Sequence, residues 1–493
     1  MSNQKPLAGK RGGLPLVAGG LAFIVSLSCT SGAQTPPRPL HPAASSARLA
    51  PKHEQALRVI YKELIEINTT HSKGSTTLAA QAMGARLTAA GLRAEDVKVL
   101  VHPGNATKGN LVARLRGKGT KKPLLLLAHL DVVEALREDW SEGLDPHKLT
   151  EKDGFFYARG SIDDKAMASI FVANLIRYKQ EGFTPDRDII LALTADEEGG
   201  SFNGVEWLLQ NHRALIDAEL GINEGGGGRY RGDKRLFHAV QASEKIFQSF
   251  ALEVKNKGGH SSMPVKDNAI YRLAASLDRL AKFDFPVSLS EVTRGYFQRM
   301  AAIEGGQAAA DMKAVLAPSP DPDAVTRLSV MPFYNAMMRT TCVATQLQGG
   351  HAENALPQVA RATVNCRILP HEPVDEVERT LARVFADAEV RVTAMSPAKP
   401  SPPSPLTPAL MKPIEDITSA LWPGVPVMPI MSSGATDSLY LRSAGIPMYG
   451  VSGLFTDIDD VRTHGKDERL RQSSLFEGQE FLYRLVKRLA GGG

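Results

Sequence analysis

Three cysteines in 493 residues are too few for a disulfide-stapled scaffold, so a hydrophobic core has to hold this chain together. No internal repeat and no collagen-like period is visible, which argues against solenoids, propellers and triple helices. An excess of one charge is missing too. Lys and Arg number 58 against 53 Asp and Glu, and the resulting +5 is too small and too evenly spread to indicate a nucleic-acid partner. A full membrane span is also lacking: the apolar run Leu14–Leu27 falls short of the roughly 20 residues that a bilayer requires. What is present is ordinary globular material, 43% hydrophobic and 23% charged, which excludes wholesale disorder. At roughly 150 residues per domain the length suits about three domains, or two with insertions.

The N-terminus reads as an export signal. Lys5, Lys10 and Arg11 form a basic start, the run Leu14–Leu27 follows, and Ser31-Gly32-Ala33 supplies small residues at a cleavage site. Residues 1–33 are therefore expected to be a signal peptide and 34–50, rich in Pro, Ala and Ser, a tether. The protein is then periplasmic or secreted, or membrane-anchored through this segment alone if it is not cleaved. A lipoprotein reading of Cys29 is weaker, because Ser26 stands where an apolar residue usually precedes the modified cysteine. Cys342 and Cys366 remain after processing; they could pair in an oxidising compartment, although sequence does not show that they meet.

From His53 onward helix and strand patterns alternate. Leu57, Ile60, Tyr61, Leu64 and Ile65 mark one face of a helix over 53–67, and 78–90 and 166–178 read as further helices. The continuous apolar runs 124–128 and 188–193, with 219–223, read as strands buried on both faces of a parallel or mixed α/β sheet. Near Ser243 the character changes: strands over 247–254, 361–369 and 389–395 and helices over 268–281 and 374–386 suggest a two-layer α+β unit. The stretch 284–335 reads as less regular, and the proline-rich 396–408 as a stiff connector. The expected organisation is a catalytic domain in two parts, 51–242 and 401–493, interrupted by a lid domain, 243–400.

Four clusters carry chemistry. His129-Leu130-Asp131 follows the first buried strand, Asp163-Asp164-Lys165 precedes a helix, Asp196-Glu197-Glu198-Gly199-Gly200 follows the second strand, and Glu224 follows the third. Each alone has a bland reading: a structural histidine, a helix cap, a solvated acidic turn. Together, after separate buried strands, they place imidazole and carboxylates at the carboxyl edge of one sheet, where α/β proteins gather ligands. Nitrogen and carboxylate donors suit zinc, or cobalt or manganese. Two ions need a shared carboxylate and about two more ligands each, and His464 is the best remaining candidate. Asp131 lies two residues past His129, on the same side of an extended chain, where its carboxylate can hold the far ring nitrogen. Glu197 and Glu198 are adjacent, so their side chains diverge; one can bind metal while the other faces a water acidified from pKa 15.7 toward about 7.

These segments carry a resemblance. Ala128-His129-Leu130-Asp131-Val132-Val133, Arg159-Gly160-Ser161-Ile162-Asp163-Asp164-Lys165, Thr194-Ala195-Asp196-Glu197-Glu198 and Gly258-Gly259-His260-Ser261-Ser262-Met263-Pro264 resemble motifs of the dinuclear-zinc metallopeptidases that include aminoacylase, glutamate carboxypeptidase and succinyl-diaminopimelate desuccinylase. The resemblance covers about residues 55–490. Within the family, Asn335–Thr341, Ala362–Ile368 and the long 284–335 region are most similar to the secreted N-fatty-acyl-amino-acid synthase/hydrolase type.

The resemblance implies a phosphorylase/hydrolase-like α/β zinc-peptidase domain with an inserted two-layer α+β lid of the dimerisation type; a homodimer through the lid and a monomer both stay open, since relatives include monomers. It implies two Zn2+ per chain, with Asp163 bridging, His129 and Glu224 completing one position, and Glu198 and His464 the other. Glu197 is then the general base, Asp131 orients His129, and His260 polarises the scissile carbonyl, in many relatives from a second subunit. Relatives bind a free carboxylate through the lid. Arg367 fits, because Val364, Cys366 and Ile368 take one strand face and leave Thr363, Asn365 and Arg367 on the other. Asn354 is implied at the oxyanion. Ala158, Ala166 and Glu134 depart from the usual Gly, Gly and Pro, and none is a proposed ligand.

The expected activity is hydrolysis of an amide bond beside a free carboxylate, in a small peptide or an N-acyl amino acid. Two alternatives stay open: a zinc-dependent peptide-binding protein without catalysis, and a deacylase with one metal.

Overall fold

The computed structural model describes residues 49–492, so the signal segment 1–33 and all but the last two residues of the tether lie outside the described residues. Two buried strands, Leu124–His129 and Ile189–Thr194, run parallel at the centre of a ten-stranded sheet. Their side chains alternate between two cores. Leu124, Leu126, Ile189, Leu191 and Leu193 face the helices Pro51–Glu66, Lys165–Gln180 and Gln472–Ala490. Leu125, Leu127, Ile190 and Ala192 face Gly204–Asn211 and Ser438–Ser443. Full burial of each leucine contributes about 1.5–3 kcal/mol, which explains why these strands read as unbroken apolar runs rather than as alternating ones.

The strand Leu220–Asn223 pairs parallel to Leu124–His129, and Met448–Gly450 pairs parallel to Leu220–Asn223. Parallel pairing puts His129, Thr194 and Asn223, the last residues of three strands, on the same edge of the sheet. The rest of the sheet is mixed, with Lys234–Glu244 running antiparallel to Gly228–Arg231 and parallel to Val427–Ser432.

Helix ends fall where side-chain chemistry places them. Ser75 accepts from the Leu78 N–H at the start of Thr76–Ala89, and Asn268 accepts from the N–H groups of Ile270 and Tyr271 at the start of Ala269–Ala281. One residue, Lys245, separates the sheet strand Lys234–Glu244 from Ile246–Lys255, which belongs to a second sheet. This sheet has four antiparallel strands in the order Thr341–Gly349, Val359–Ile368, Ile246–Lys255, Val390–Ala394. Ala269–Ala281 and Val374–Phe385 cover one of its faces, giving a two-layer unit with Phe250, Val364, Ile368, Leu273, Leu381 and Phe385 in its core.

Residues 284–335 differ from the irregular stretch that the sequence suggests. They hold most of four helices, Glu291–Glu304, Gly306–Ala314, Pro322–Ser329 and Pro332–Met338. Pro322 and Pro332 stand at first helical positions, where a missing N–H costs nothing. Val292, Phe297, Met300, Met312 and Met337 from these helices join the main core, not the core of the two-layer unit.

Cys342 and Cys366 stand directly opposite each other on Thr341–Gly349 and Val359–Ile368 and form a disulfide. It closes a loop with a sequence separation of 24 and ties an edge strand to its neighbour. Replacing both cysteines by alanine is expected to cost about 2–4 kcal/mol. Denaturant unfolding followed by a probe on the two-layer unit checks this; an unchanged midpoint would show that the bridge adds nothing to native stability. No helix among the described residues is long and apolar enough to cross a membrane.

Candidate functional site

The sheet edge gathers seven of the ten residues singled out in the sequence. Asp163 is at their centre. Its Oδ1 lies 2.8 Å from His129 Nε2, and its Oδ2 lies 3.2 Å from His464 Nε2. The two oxygens of one carboxylate thus each face an imidazole, one from the end of a strand and one from a loop far along the chain. Glu224 Oε1 is 3.8 Å from His129 Nε2, and Glu198 Oε1 is 2.8 Å from His464 Nε2. Donor atoms of His129, Glu197 and Glu224 lie within 4.8 Å of one another, and so do those of His129, Asp163 and Glu198.

Backbone geometry explains the convergence. His129 closes its strand, Glu224 follows Asn223 directly, and Glu197 and Glu198 follow a turn at the end of Ile189–Thr194. Asp163 and Asp164 precede the helix Lys165–Gln180, and Asp164 makes no capping bond with its side chain. The capping role that the sequence allows for this pair is therefore unused, and Asp163 points its oxygens at the histidines.

Asp131 takes a different place from the one its spacing suggests. His129 Nδ1 donates to the backbone carbonyl of Asp131 at 2.9 Å, while the Asp131 carboxylate stays 3.7 Å away. That carboxylate instead accepts the N–H groups of Glu197 (3.1 Å) and Glu198 (3.0 Å). It fixes the turn that presents both glutamates. Two residues of extended chain place the whole Asp131 peptide unit beside the ring, and its carbonyl arrives first.

The donor set fits divalent cations. With Nδ1 of His129 donating to a carbonyl, a neutral ring presents a bare lone pair at Nε2, and that lone pair faces a carboxylate oxygen. At this distance the two atoms either share a proton, as an imidazolium–carboxylate pair does, or both serve a common cation. The charge balance agrees. Burial and the neighbouring Glu197 and Asp163 push the Glu224 carboxyl well above the carboxylate range. Burial does the same to Glu197, with His129 opposing and Asp437, Glu198 and Asp163 adding to it. Burial works against a charged His129, but Glu224 and Asp163 outweigh it and lift its pKa well above 6.5. Hydrogen bonds to Asp163 and Glu198 lift that of His464 to about 10. Crowded buried carboxylates around two imidazoles call for positive charge, and nitrogen plus oxygen donors match zinc, cobalt or manganese.

The other three residues lie on the two-layer unit. His260 sits in the short strand Gly259–His260, paired with Ala355–Leu356, and its Nδ1 is 2.7 Å from Ser262 Oγ. Asn354 is adjacent, its carbonyl accepting the Ser261 N–H at 3.0 Å. Arg367 stacks its guanidinium 4.7 Å from the Phe247 ring centroid, on the open face of the four-stranded sheet, and has no carboxylate partner among the described residues. None of the three bonds to the central cluster among the described residues.

Sequence reasoning missed the residues behind the cluster. Asp437 is buried and accepts from Asn203 Nδ2 (2.6 Å) and Thr194 Oγ1 (3.2 Å); burial raises it to about 6 against these bonds. Asp196 turns away from the centre, with φ at 57°, and pairs with the buried Lys108 at 2.5 Å. A Cβ on Gly200 would meet Asp196 Oδ2 at 2.3 Å, which accounts for a glycine there. Arg159 and Glu468 form a buried ion pair at 2.6 Å behind Asp163 and His464.

The model for the Peptidase family M20/M25/M40 matches residues 125–488. An N-fatty-acyl-amino acid synthase/hydrolase of Xenopus tropicalis is 28% identical over 400 residues, covering 74% of this chain and 72% of that protein; it is of the type that Asn335–Thr341 and Ala362–Ile368 resemble. Among solved structures, an M20 family metallo-carboxypeptidase from Sulfolobus solfataricus aligns with a TM-score of 0.66 at 16% identity, over 88% of this chain and 99% of that one. A Bacillus subtilis protein described as a dinuclear metal binding peptidase from the M20 family aligns with a TM-score of 0.57 at 11% identity, over 90% and 99%. Both structures share the fold.

Proposed function

The chain belongs to the peptidase family M20/M25/M40, whose members are hydrolytic enzymes, and from that premise we propose that it cleaves an amide bond beside a free carboxylate, with Glu197 as general base. The substrate is a small peptide or an N-acyl amino acid. The single observation that supports this reading most is Asp163, with one oxygen toward His129 and the other toward His464. In this reading His129, Glu224 and Asp163 hold one ion, Glu198, His464 and Asp163 hold a second, and the ions are zinc. Such ions, when bound, polarise a carbonyl and acidify a water.

The chain's own residues do the rest. Glu197 takes the proton of the attacking water and later delivers it to the leaving nitrogen. Asp131 keeps Glu197 and Glu198 in place through their amides. Arg367 on the two-layer unit, which acts as a lid, receives the substrate carboxylate in a bidentate pair. His260 and Asn354, close together on the lid, stabilise the oxyanion when the lid meets the cleft, within one chain or from a second copy in a dimer. The relative's name suggests a long acyl group on the far side of the scissile bond. Export through residues 1–33 is part of this reading, and the Cys342–Cys366 bridge suits an oxidising compartment.

Assay of the full chain on dipeptides and N-acyl amino acids of rising acyl length, with and without a chelator, tests the proposal. Chelator-sensitive hydrolysis limited to substrates with a free carboxylate is expected. Equal turnover of the same substrates with their carboxylate converted to an amide would sink it. Arg367→Ala is expected to raise KM about 10–200-fold with a smaller change in kcat, since one charged hydrogen-bonding partner is worth about 1.5–3 kcal/mol. An unchanged KM would move carboxylate capture to another residue.

A further inference from the structure

The loop carrying His464 has a turn bond from the Gly465 N–H to the Arg462 carbonyl (2.8 Å), and Ser141 donates its N–H (2.9 Å) and Oγ–H (2.6 Å) to the Asp467 carboxylate. His464 and Asp467 sit at φ 62° and 53°, a left-handed conformation that a side chain with a Cβ avoids. The His464 side chain is half exposed. A backbone of this kind persists only where its surroundings over-determine it. At His464 itself the backbone is held from the loop that carries Asp163. Arg159 Nη2 donates to the carbonyls of His464 (3.2 Å) and Gly465 (3.1 Å), and its Nη1 donates to Glu468 Oε2 (2.6 Å). The other oxygen of Glu468 accepts the N–H of Ile162, the residue before Asp163, at 2.8 Å. The Glu468 carbonyl accepts the Ala158 N–H. Both side chains are buried.

We propose that Arg159 and Glu468 are positioning residues: a reciprocal clamp that holds the His464 loop in register with the Asp163 loop and so governs how firmly the Glu198–His464 metal position is held. The proposal rests on the two-ion reading above. Each arm of the clamp reaches across to the other loop. Arg159 binds the backbone at His464, and Glu468, four residues after His464, binds the backbone just before Asp163. Neither touches the reacting atoms. The planar fork of arginine serves three acceptors in fixed directions, which a lysine ammonium cannot reproduce. Arg159→Lys therefore keeps the charge and the partnership with Glu468 but releases the His464 and Gly465 carbonyls. Glu468→Gln keeps an acceptor for the Ile162 N–H but removes the charge that holds Arg159.

The test uses the full chain loaded with Zn2+, and compares wild type with Arg159→Lys, Glu468→Gln and the ligand variant His464→Asn. Bound metal per chain is titrated against free Zn2+, kcat and KM are measured at each level, and amide exchange is followed over residues 460–468. For both clamp variants, affinity for one of the two ions is expected to fall about 10–100-fold, as when the partners of ligands are removed elsewhere. At limiting zinc kcat falls with KM nearly unchanged, and kcat recovers as free zinc rises; amide exchange over 460–468 quickens. His464→Asn does not recover at the same zinc. Wild-type metal affinity and wild-type exchange in a folded Arg159→Lys or Glu468→Gln overturn the clamp. If Arg159→Lys does not fold, Glu468→Gln decides alone. A wild type that takes up no zinc overturns the two-ion reading instead, and the exchange rates over 460–468 then decide whether the clamp exists.

Discussion

Glu197→Gln is expected to lower kcat about 10²–10⁴-fold while leaving metal content and KM near those of the wild type. Glutamine keeps the shape of the side chain and leaves the Glu197 N–H free to bond Asp131, so the turn that presents Glu198 persists. What is lost is a group that can accept a proton. Glu197 suits that task because its carboxylate makes no hydrogen bond of its own among the described residues, while its backbone is held. Burial and the neighbouring Asp437, Glu198 and Asp163 push its pKa well above the usual carboxylate range, with His129 opposing, and cations bound beside it pull the same way as His129. Glu198→Gln is the informative contrast. Glu198 Oε1 already faces His464 Nε2 at 2.8 Å, so its loss should show as missing metal. Less than a tenfold loss of kcat in a fully loaded Glu197→Gln enzyme would take the base role away from this residue. The same experiment separates a catalyst from a zinc-dependent binding protein, because a binder has no turnover to lose.

Much of the fold and of the central cluster was legible because one physical cause wrote both. A strand buried on two faces must be an unbroken apolar run, and a polar side chain delivered to its carboxyl end must follow that run directly, as His129 and Glu224 do. His464 was the harder inference, since no buried strand announces it; the need for one more imidazole did. The supporting residues were less legible. Asp437, Lys108 and Arg159 act on groups tens to hundreds of positions away, and neither periodicity nor spacing records a contact of that kind. Asp131 shows a finer limit. Its spacing from His129 foretold which residue lies beside the ring, but not that the carbonyl would take the ring N–H while the carboxylate took two amides. The helices between 291 and 338 were obscured by prolines that start helices as readily as they end them.

Asp163→Asn is expected to abolish the metal pair. An asparagine side chain has one oxygen and one NH2, so it can present an acceptor toward His129 or toward His464 but not toward both. In this protein both directions are in use, at 2.8 and 3.2 Å. The substitution also removes the negative charge placed between the two imidazoles. Metal analysis should find less than one ion per chain, and kcat/KM should fall about 10³-fold or more, because several kcal/mol of charge stabilisation at the reacting carbonyl goes with the ions. Wild-type enzyme treated with chelator should reach the same floor. It should recover with added zinc, and with cobalt or manganese, since its ligands are intact. Asp163→Asn should not recover with any of them. A single-metal deacylase predicts otherwise: one of the two positions would be dispensable, and His464→Asn or Glu198→Gln would keep nearly full activity with one ion bound. Recovery of the Asp163→Asn variant to more than a tenth of wild-type kcat/KM at saturating zinc would show that the two positions do not depend on a shared carboxylate.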